Sequence, residues 1–225
     1  MKVTWLGQAG LLFETSELTI MIDPYLSDSC GKANPRSHRR VEVDESLYNI
    51  HPDVMIFTHN HLDHYDAETV DRIFAEHPGR MVILSPVSVW NEVRQHGQPH
   101  NYVQFNTGSE WTEGDVLFSA VKAEHSDAHA IGVVLEIEGK RYYVTGDTLY
   151  NRNVIASLPS DIEVVFLPVN GAGNNINGAD AVRFVEAIGA RKAVPLHVGL
   201  MDDLTFDVFP CDKKIVPSFY QEIVL

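Results

Sequence analysis

Cysteine is scarce in this sequence, with Cys30 and Cys211 the only two among 225 residues. Two cysteines cannot supply the disulfide framework on which small secreted domains depend. No apolar run approaches the roughly 18 residues that a membrane-spanning helix requires. A strand-like pattern begins at the first residues, where a secretory signal peptide would otherwise lie. We therefore expect a cytoplasmic protein without a membrane partner.

Positive charge is also scarce. The chain has 17 Lys and Arg residues against 31 Asp and Glu residues, which gives a formal net charge of −14. Such a charge repels the phosphate backbones of nucleic acids. The sequence therefore argues against a nucleic-acid partner and favours a small molecule. Composition does not determine the oligomeric state, so a homo-oligomer stays open.

The hydrophobic pattern predicts a single α/β domain over residues 1–225, and a 44% hydrophobic content suits such a domain. Short β-branched runs at 2–6, 11–15 and 18–22 predict an antiparallel start to a sheet. From residue 54 onward, strands alternate with helices, which is typical of α/β proteins. The expected strands there are 54–57, 81–84, 101–105, 131–138, 141–145, 164–167 and 192–196, together with strand structure over 110–122 that contains a hairpin turn at 113–115. The expected helices are 67–77, 86–95 and 179–188. Residues 26–45 lack periodicity and are expected to form a long loop, and the tail after Met201 has too weak a pattern to assign.

One short segment, residues 59–64, concentrates metal-ligand side chains directly after a strand-like run. It contains His59, His61, Asp63 and His64. His59 and His61 are two residues apart and so point to the same side of an extended backbone. Imidazole and carboxylate groups together suit zinc, manganese or iron, and a cluster without cysteine argues against a closed structural zinc site.

Other expected strands also end in ligand-type residues, namely Asp23, His125, Asp147 and His197. Each could be structural when taken alone, but the ends of strands in such a chain meet at one rim of the sheet. Leaving Asp23 aside, the remaining residues suffice for two divalent ions with open coordination positions, as catalytic sites require. Mn²⁺ or Zn²⁺ is the expected metal, and Fe²⁺ or Ni²⁺ also fits nitrogen-rich ligation.

These residues make the chain resemble the metallo-β-lactamase-fold hydrolases. The H-x-H-x-D-H signature of that family is matched by His59, His61, Asp63 and His64, and its later ligands are matched by His125, Asp147 and His197. The resemblance implies a four-layer αββα sandwich with the site at one edge. It also implies one ion held by His59, His61 and His125, a second held by Asp63, His64 and His197, and Asp147 as the bridge between them.

Several stretches resemble, more narrowly, the L-ascorbate-6-phosphate lactonase group. They are residues 5–10, 22–26, 130–132, 146–148 and 167–171. This resemblance implies a lactonase-like substrate, a small anionic lactone or ester such as a phosphorylated sugar lactone. It also places Asn170 among the residues expected to bind the substrate.

The expected activity is hydrolysis by a metal-bound hydroxide. Two adjacent divalent ions lower the pKa of a shared water from about 16 to near 7 in favourable cases, and the hydroxide attacks an ester, lactone or phosphodiester. Asp63 and Asp147 are the candidate catalytic residues, and Asp63 could shuttle a proton while it serves as a ligand.

Three other functions are conceivable for the same residues. A phosphodiesterase or nuclease of the same fold is opposed by the acidic composition. A redox di-iron protein is opposed by His61, where such relatives usually carry Glu, and by the lack of an appended flavin domain. A metal-binding protein without turnover is opposed by the full set of ligands.

The expected loop at 26–45 holds the densest basic cluster of the chain, with Lys32, Arg36, Arg39 and Arg40. Arginine offers a planar fork of donors that suits phosphate or carboxylate oxygens. We expect Arg36, Arg39 or Arg40 to hold the anionic group of the substrate. The alternative is that these arginines pair with Glu42, Asp44 and Glu45 and fix the loop in place.

Overall fold

Two six-stranded mixed sheets form the centre of the fold. The computed structural model describes residues 1–225. The first sheet contains, in spatial order, β1 (Lys2–Gly7), β2 (Gly10–Glu14), β3 (Thr19–Ile22), β4 (Val54–Ile56), β5 (Val82–Ser85) and β6 (Asn101–Gln104). The second sheet contains β7 (Glu110–Glu113), β8 (Val116–Lys122), β9 (Ile131–Ile137), β10 (Lys140–Val144), β11 (Ile162–Pro168) and β12 (Lys192–Leu196), again in spatial order.

The pairing of neighbouring strands changes once within each sheet, from antiparallel to parallel. Strands β1 to β3 pair antiparallel, and β3 to β6 pair parallel. In the second sheet, β7 to β10 pair antiparallel, and β10 to β12 pair parallel. The central parallel strands β4 and β11 are almost continuously apolar, as expected for strands with both faces covered. The carboxyl ends of β3 and β4 therefore lie side by side, as do those of β10, β11 and β12.

The main core lies between the two sheets and follows the two-residue period of a strand. On β3, Ile20 and Ile22 belong to this inner core, whereas Met21 belongs to the core on the outer face of the first sheet. Phe13 of the first sheet and Phe166 of the second are in edge-to-face contact, with ring centroids 5.6 Å apart. The two sheets thus share one interior.

Helices cover the outer faces and complete four layers. The helices are α1 (Ser29–Ala33), α2 (Ala67–Glu76), α3 (Val87–Val93), α4 (Arg152–Ala156) and α5 (Gly178–Ala187). Helix α2 buries Val70, Ile73 and Phe74 in the core on the first sheet, and α5 buries Phe184 and Val185 on the second. This arrangement confirms the expected α/β class and the αββα sandwich.

The structure adds two short helices that the sequence pattern did not predict. The expected loop at 26–45 contains α1, and α4 follows the segment after β10. In α1 the buried residues are Ser29 and Gly31, so no apolar stripe marks it as a helix. The description of 26–45 as entirely irregular was therefore wrong.

The C-terminal tail covers the edge strand β1. Phe219 stacks on Trp5 with ring centroids 4.2 Å apart, and the Ile223 amide donates to the Val3 carbonyl. A covered edge protects the unpaired backbone groups of an outer strand. None of the helices is both long enough and apolar enough to cross a lipid bilayer.

Candidate metal centre

The predicted ligands meet at one edge of the sandwich, because each follows the end of a strand. The segment 59–64 follows β4, His125 follows β8, Asp147 follows β10, and His197 follows β12. Two groups form there, one of His59, His61, His125 and Asp147 and one of Asp63, His64 and His197, and within each group the ligand atoms lie within 4.8 Å of one another. The structure therefore brings together all seven residues that the sequence singled out.

Asp147 lies between the two groups. Its Oδ1 is 3.3 Å from His64 Nε2, and its Oδ2 is 3.7 Å from His197 Nε2. On the second group, His197 Nε2 also lies 3.0 Å from Asp63 Oδ2. Asp147 is a member of the first group and contacts two residues of the second, so it is the residue that two cations held here would share.

The donor atoms are suited to divalent cations. His59 Nε2, His64 Nε2 and Asp147 Oδ1 are buried and have no hydrogen-bond partner within the protein. Buried polar atoms normally have a partner, so unpaired atoms that converge on one point indicate a ligand. Five imidazoles and two carboxylates match the nitrogen and oxygen ligation of Zn²⁺, Mn²⁺, Fe²⁺ or Ni²⁺. The residues present therefore fit the predicted pair of ions.

Asp23 orients His64 directly and reaches His59 only through Thr58, in one buried network. Thr58 donates its hydroxyl to Asp23 Oδ2 at 2.5 Å, and His64 donates Nδ1–H to the same oxygen at 2.7 Å. His59 Nδ1 lies 3.0 Å from Thr58 Oγ1 and completes the chain as a donor. These contacts place the proton of each ring on Nδ1, which leaves both Nε2 atoms free for a metal.

An asparagine-rich loop, residues 170–177, contacts ligands of both groups. The Asn174 carbonyl accepts from His125 Nδ1 at 3.1 Å, and the Asn175 carboxamide donates to Asp147 Oδ2 at 2.7 Å. The Asn170 carboxamide lies 3.0 Å from His197 Nδ1. Such outer contacts orient the ligands and set their tautomers. The sequence predicted that Asn170 binds substrate, but it gave no role to Asn174 or Asn175.

Gln8 supports the second group from the turn between β1 and β2. Its side-chain nitrogen donates to Asp63 Oδ2 at 3.3 Å, and its carbonyl accepts from the His197 amide at 3.1 Å. Gln8, Asp23 and His197 all have positive φ angles, of 47°, 45° and 48° respectively. Backbone strain of this kind concentrates at functional sites.

Glycine is required beside Asp147. Gly146 has a φ of 58°, and a Cβ built there would lie 2.8 Å from Cβ of Thr58. The close approach joins the end of β10 in the second sheet to the Thr58–Asp23 network of the first. Only glycine allows both the conformation and the contact.

Opposite charges perturb the ionisation of these groups. Burial opposes the charged form of His197, but Asp147 and Asp63 raise its pKa to about 9. Burial opposes the charged form of His64 as well, yet the carboxylates around it, chiefly Asp147 and Asp23, raise its pKa well above the ordinary value. By contrast, burial and the neighbouring His64 lower the pKa of His59. A divalent cation would therefore displace protons from His64 and His197.

A cavity of about 470 Å³ opens onto both groups. Asn170 lines it, but the three arginines expected to bind substrate do not. Arg39 donates to the carbonyls of Tyr25 and Leu6 and to the Tyr220 hydroxyl. Arg40 lies 3.6 Å from Asp203, and Arg36 is exposed on a 3₁₀ turn beside the cavity-lining Ser37. A role for these arginines in binding an anion stays a prediction.

The chain is similar to known metal-dependent hydrolases. The model of the beta-lactamase superfamily domain matches residues 19–198. A UPF0173 metal-dependent hydrolase from Korarchaeum cryptofilum is 30% identical over 201 residues, covering 87% of this chain and 82% of that protein.

Solved structures resemble the whole chain. A possible metal-dependent hydrolase from Veillonella parvula has a TM-score of 0.81 at 19% identity and covers 100% of this chain and 99% of its own. The isothiocyanate hydrolase from Delia radicum gut bacteria has a TM-score of 0.76 at 20% identity, with coverage of 100% and 99%. At such identities the likeness concerns the fold.

Proposed function

The chain belongs to the beta-lactamase superfamily and to its UPF0173 family of metal-dependent hydrolases, and from this premise we propose that it cleaves a small-molecule ester or lactone. The superfamily agrees with the resemblance seen in the sequence. The narrower resemblance to the L-ascorbate-6-phosphate lactonases stays a prediction. A lactone is cleaved by the same attack on an acyl carbon as an open ester, so the proposal covers both.

The shared position of Asp147 carries the proposal. This carboxylate lies with His59, His61 and His125 in the first group, and its oxygens also contact His64 and His197 of the second. A pair of divalent ions held here would supply a water of lowered pKa and a Lewis acid for the attacked carbonyl. No serine or cysteine nucleophile is needed for this chemistry.

Asp63 is the residue best placed to move a proton. The pKa of this carboxyl lies below its ordinary range because, although burial opposes ionisation, His64 and His197 stabilise the charged form. Gln8 and His197 both contact Oδ2, and Asp63 also lines the cavity. We assign Oδ1 as the atom that accepts a proton from the nucleophile and returns it to the leaving alkoxide.

The loop at 170–177 would orient the substrate as well as the ligands. Asn170 and Asn174 both line the cavity, and their carboxamides can donate to ester or hydroxyl oxygens of a small molecule. A second candidate reaction is hydrolysis of an isothiocyanate, the substrate named for one structural neighbour. Apart from the His and Asp ligands, the cavity has an uncharged lining, which favours this candidate because an isothiocyanate is a neutral molecule.

The proposal is tested with protein stripped by a chelator and then reconstituted separately with Zn²⁺ and Mn²⁺. The substrates are a p-nitrophenyl ester, a γ-lactone, bis-p-nitrophenyl phosphate and an aryl isothiocyanate. We expect metal-dependent cleavage of the ester or lactone, and loss of both activity and bound metal in Asp147→Ala. Ester cleavage that survives chelation would exclude the mechanism, and cleavage of the phosphodiester alone would promote the phosphodiesterase alternative.

A further inference from the structure

Apart from the His and Asp ligands, the side chains that line the cavity are uncharged. Its other lining side chains are the carboxamides of three asparagines, the hydroxyls of Ser37 and Ser126, the Cys30 thiol, and the small or apolar residues of the 170–173 and 200–201 segments. All of these groups are uncharged. Leu200 and Met201 give one wall an apolar surface, and Asn170 and Asn174 give another wall hydrogen-bonding groups.

Arg39 and Arg40 have other partners. Arg39 has its guanidinium on the carbonyls of Tyr25 and Leu6 and on the Tyr220 hydroxyl, contacts that fix the loop to the sheet and the tail. Arg40 is 3.6 Å from Asp203, so its charge is offset at the rim. An anionic substrate group in the cavity would therefore meet carboxamides and aliphatic side chains instead of a guanidinium.

Apolar side chains are exposed next to the ligands. Leu62 lies between His61 and Asp63, and Leu149 follows Asp147 by two residues; each is 38% exposed. Leu200 follows His197 by three residues and is 45% exposed within the cavity lining. Single exposed apolar groups are ordinary on a protein surface, but Leu200 is exposed and also lines the cavity.

From these observations we propose that the substrate is uncharged and carries an apolar group, which packs against Leu200 and Met201. Asn170 and Asn174 meet its polar atoms. Away from the metal ligands, an anionic group would lose its hydration without gaining an ionic partner, whereas a neutral oxygen exchanges water for a carboxamide at little cost. The inference rests on the proposed function and replaces the anionic substrate expected from the sequence.

The experiment compares two esters that differ only in the distal charge. They are p-nitrophenyl hexanoate and the p-nitrophenyl monoester of adipic acid, whose chain ends in a carboxylate. With the metal-loaded protein we expect kcat/KM to be at least about tenfold higher for the hexanoate. The comparison is repeated at high salt, which screens the repulsion from the net charge of −14. A preference for the adipate would overturn the inference and leave the proposed function intact, whereas cleavage of neither ester would defeat both.

A matched pair of variants tests whether the lining itself sets the preference. Leu200→Arg places a cation inside the cavity, and Leu204→Arg adds the same charge at an exposed residue outside its lining. We expect Leu200→Arg to raise kcat/KM for the adipate about tenfold and to lower it for the hexanoate. Leu204→Arg should change either value less than twofold. Equal effects of the two variants would overturn the inference, because they would assign the preference to the overall field.

A variant of Arg36 tests the expectation from the sequence that an arginine of the 26–45 loop holds an anionic substrate. Its side chain is exposed near Ser37 and outside the cavity lining. Arg36→Ala should leave the ratio of the two kcat/KM values unchanged. A selective loss on the adipate would show that Arg36 reaches an anionic substrate and would overturn the inference.

Discussion

Replacement of Asp23 by asparagine should weaken one metal position and spare the other. Asp23 is fully buried and accepts three hydrogen bonds, from the Thr58 amide at 2.8 Å, the Thr58 hydroxyl at 2.5 Å and His64 Nδ1 at 2.7 Å. Asparagine has nearly the same shape, but it keeps only one oxygen. The substitution therefore changes hydrogen bonding without creating a cavity.

The effect follows from where the carboxamide nitrogen must lie. If it faces His64, Nδ1 has to accept a hydrogen bond, and the ring proton moves to Nε2, the atom that would bind metal. If it faces the Thr58 amide instead, two donors oppose each other. The hydrogen bond to a charged carboxylate is then lost, which costs about 1.5–3 kcal/mol. Outer-shell substitutions typically cost about 10–100-fold in metal affinity. We expect a loss of this size at the position formed by Asp63, His64 and His197.

The assay is a Zn²⁺ titration of metal-stripped protein in competition with a chromophoric chelator, which resolves two binding constants. Asp28→Asn is the matched control, since Asp28 also accepts from a histidine, His38, but on the exposed surface. In Asp23→Asn one constant should fall and the other should stay within about threefold. Two unchanged constants in a folded variant, shown by circular dichroism, would refute the argument, as would an equal loss in the control.

Two further predictions concern neighbouring groups. Asn175→Leu removes the donor to Asp147, which both groups share, so both zinc affinities should fall about tenfold. Asn174→Leu keeps the backbone contact to His125 and should leave both affinities unchanged. A matching loss in the two variants would contradict the assignment. Burial, reinforced by the Asp63 charge, raises the pKa of Cys30 to about 11. Mass spectrometry can follow the alkylation of Cys30 in metal-stripped Cys211→Ser protein. At pH 8 the rate should be about a thousandth of the rate reached when the thiol is fully ionised. A rate that reaches its plateau below pH 9.5 would disprove the raised pKa.

The layered fold could be predicted because its signals are local and repeated. Runs such as 54–57 and 164–167 are short, β-branched and apolar, which identifies buried strands. Short helices without an apolar stripe escape this reasoning. Asp28, the residue before helix α1, accepts from the Arg39 amide and from His38, later in the same loop. The existence of this helix is a property of the folded loop and has no signal in hydrophobic periodicity.

The ligands could also be predicted, because a metal centre requires particular residue types at the ends of strands. Segment 59–64 fixes four of them by spacing, and His125, Asp147 and His197 follow other strands of the same edge. Their outer contacts could not be predicted. The carbonyl that accepts from His125 belongs to Asn174, 49 residues away, and any residue could supply a backbone carbonyl. Residue identity therefore carries no information about that contact.

The arginines show why charge counting alone does not locate a substrate. The sequence reveals that Arg36, Arg39 and Arg40 are close together, but the direction of each guanidinium depends on acceptors elsewhere. The acceptors of the two terminal nitrogens of Arg39 are at Leu6, Tyr25 and Tyr220, and the last of these is 181 residues away. Two of them are backbone carbonyls, which every residue type provides. A basic cluster that binds an anion and one that holds a loop to a sheet are therefore identical in sequence, and they differ only in which oxygen atoms the folded chain places within reach.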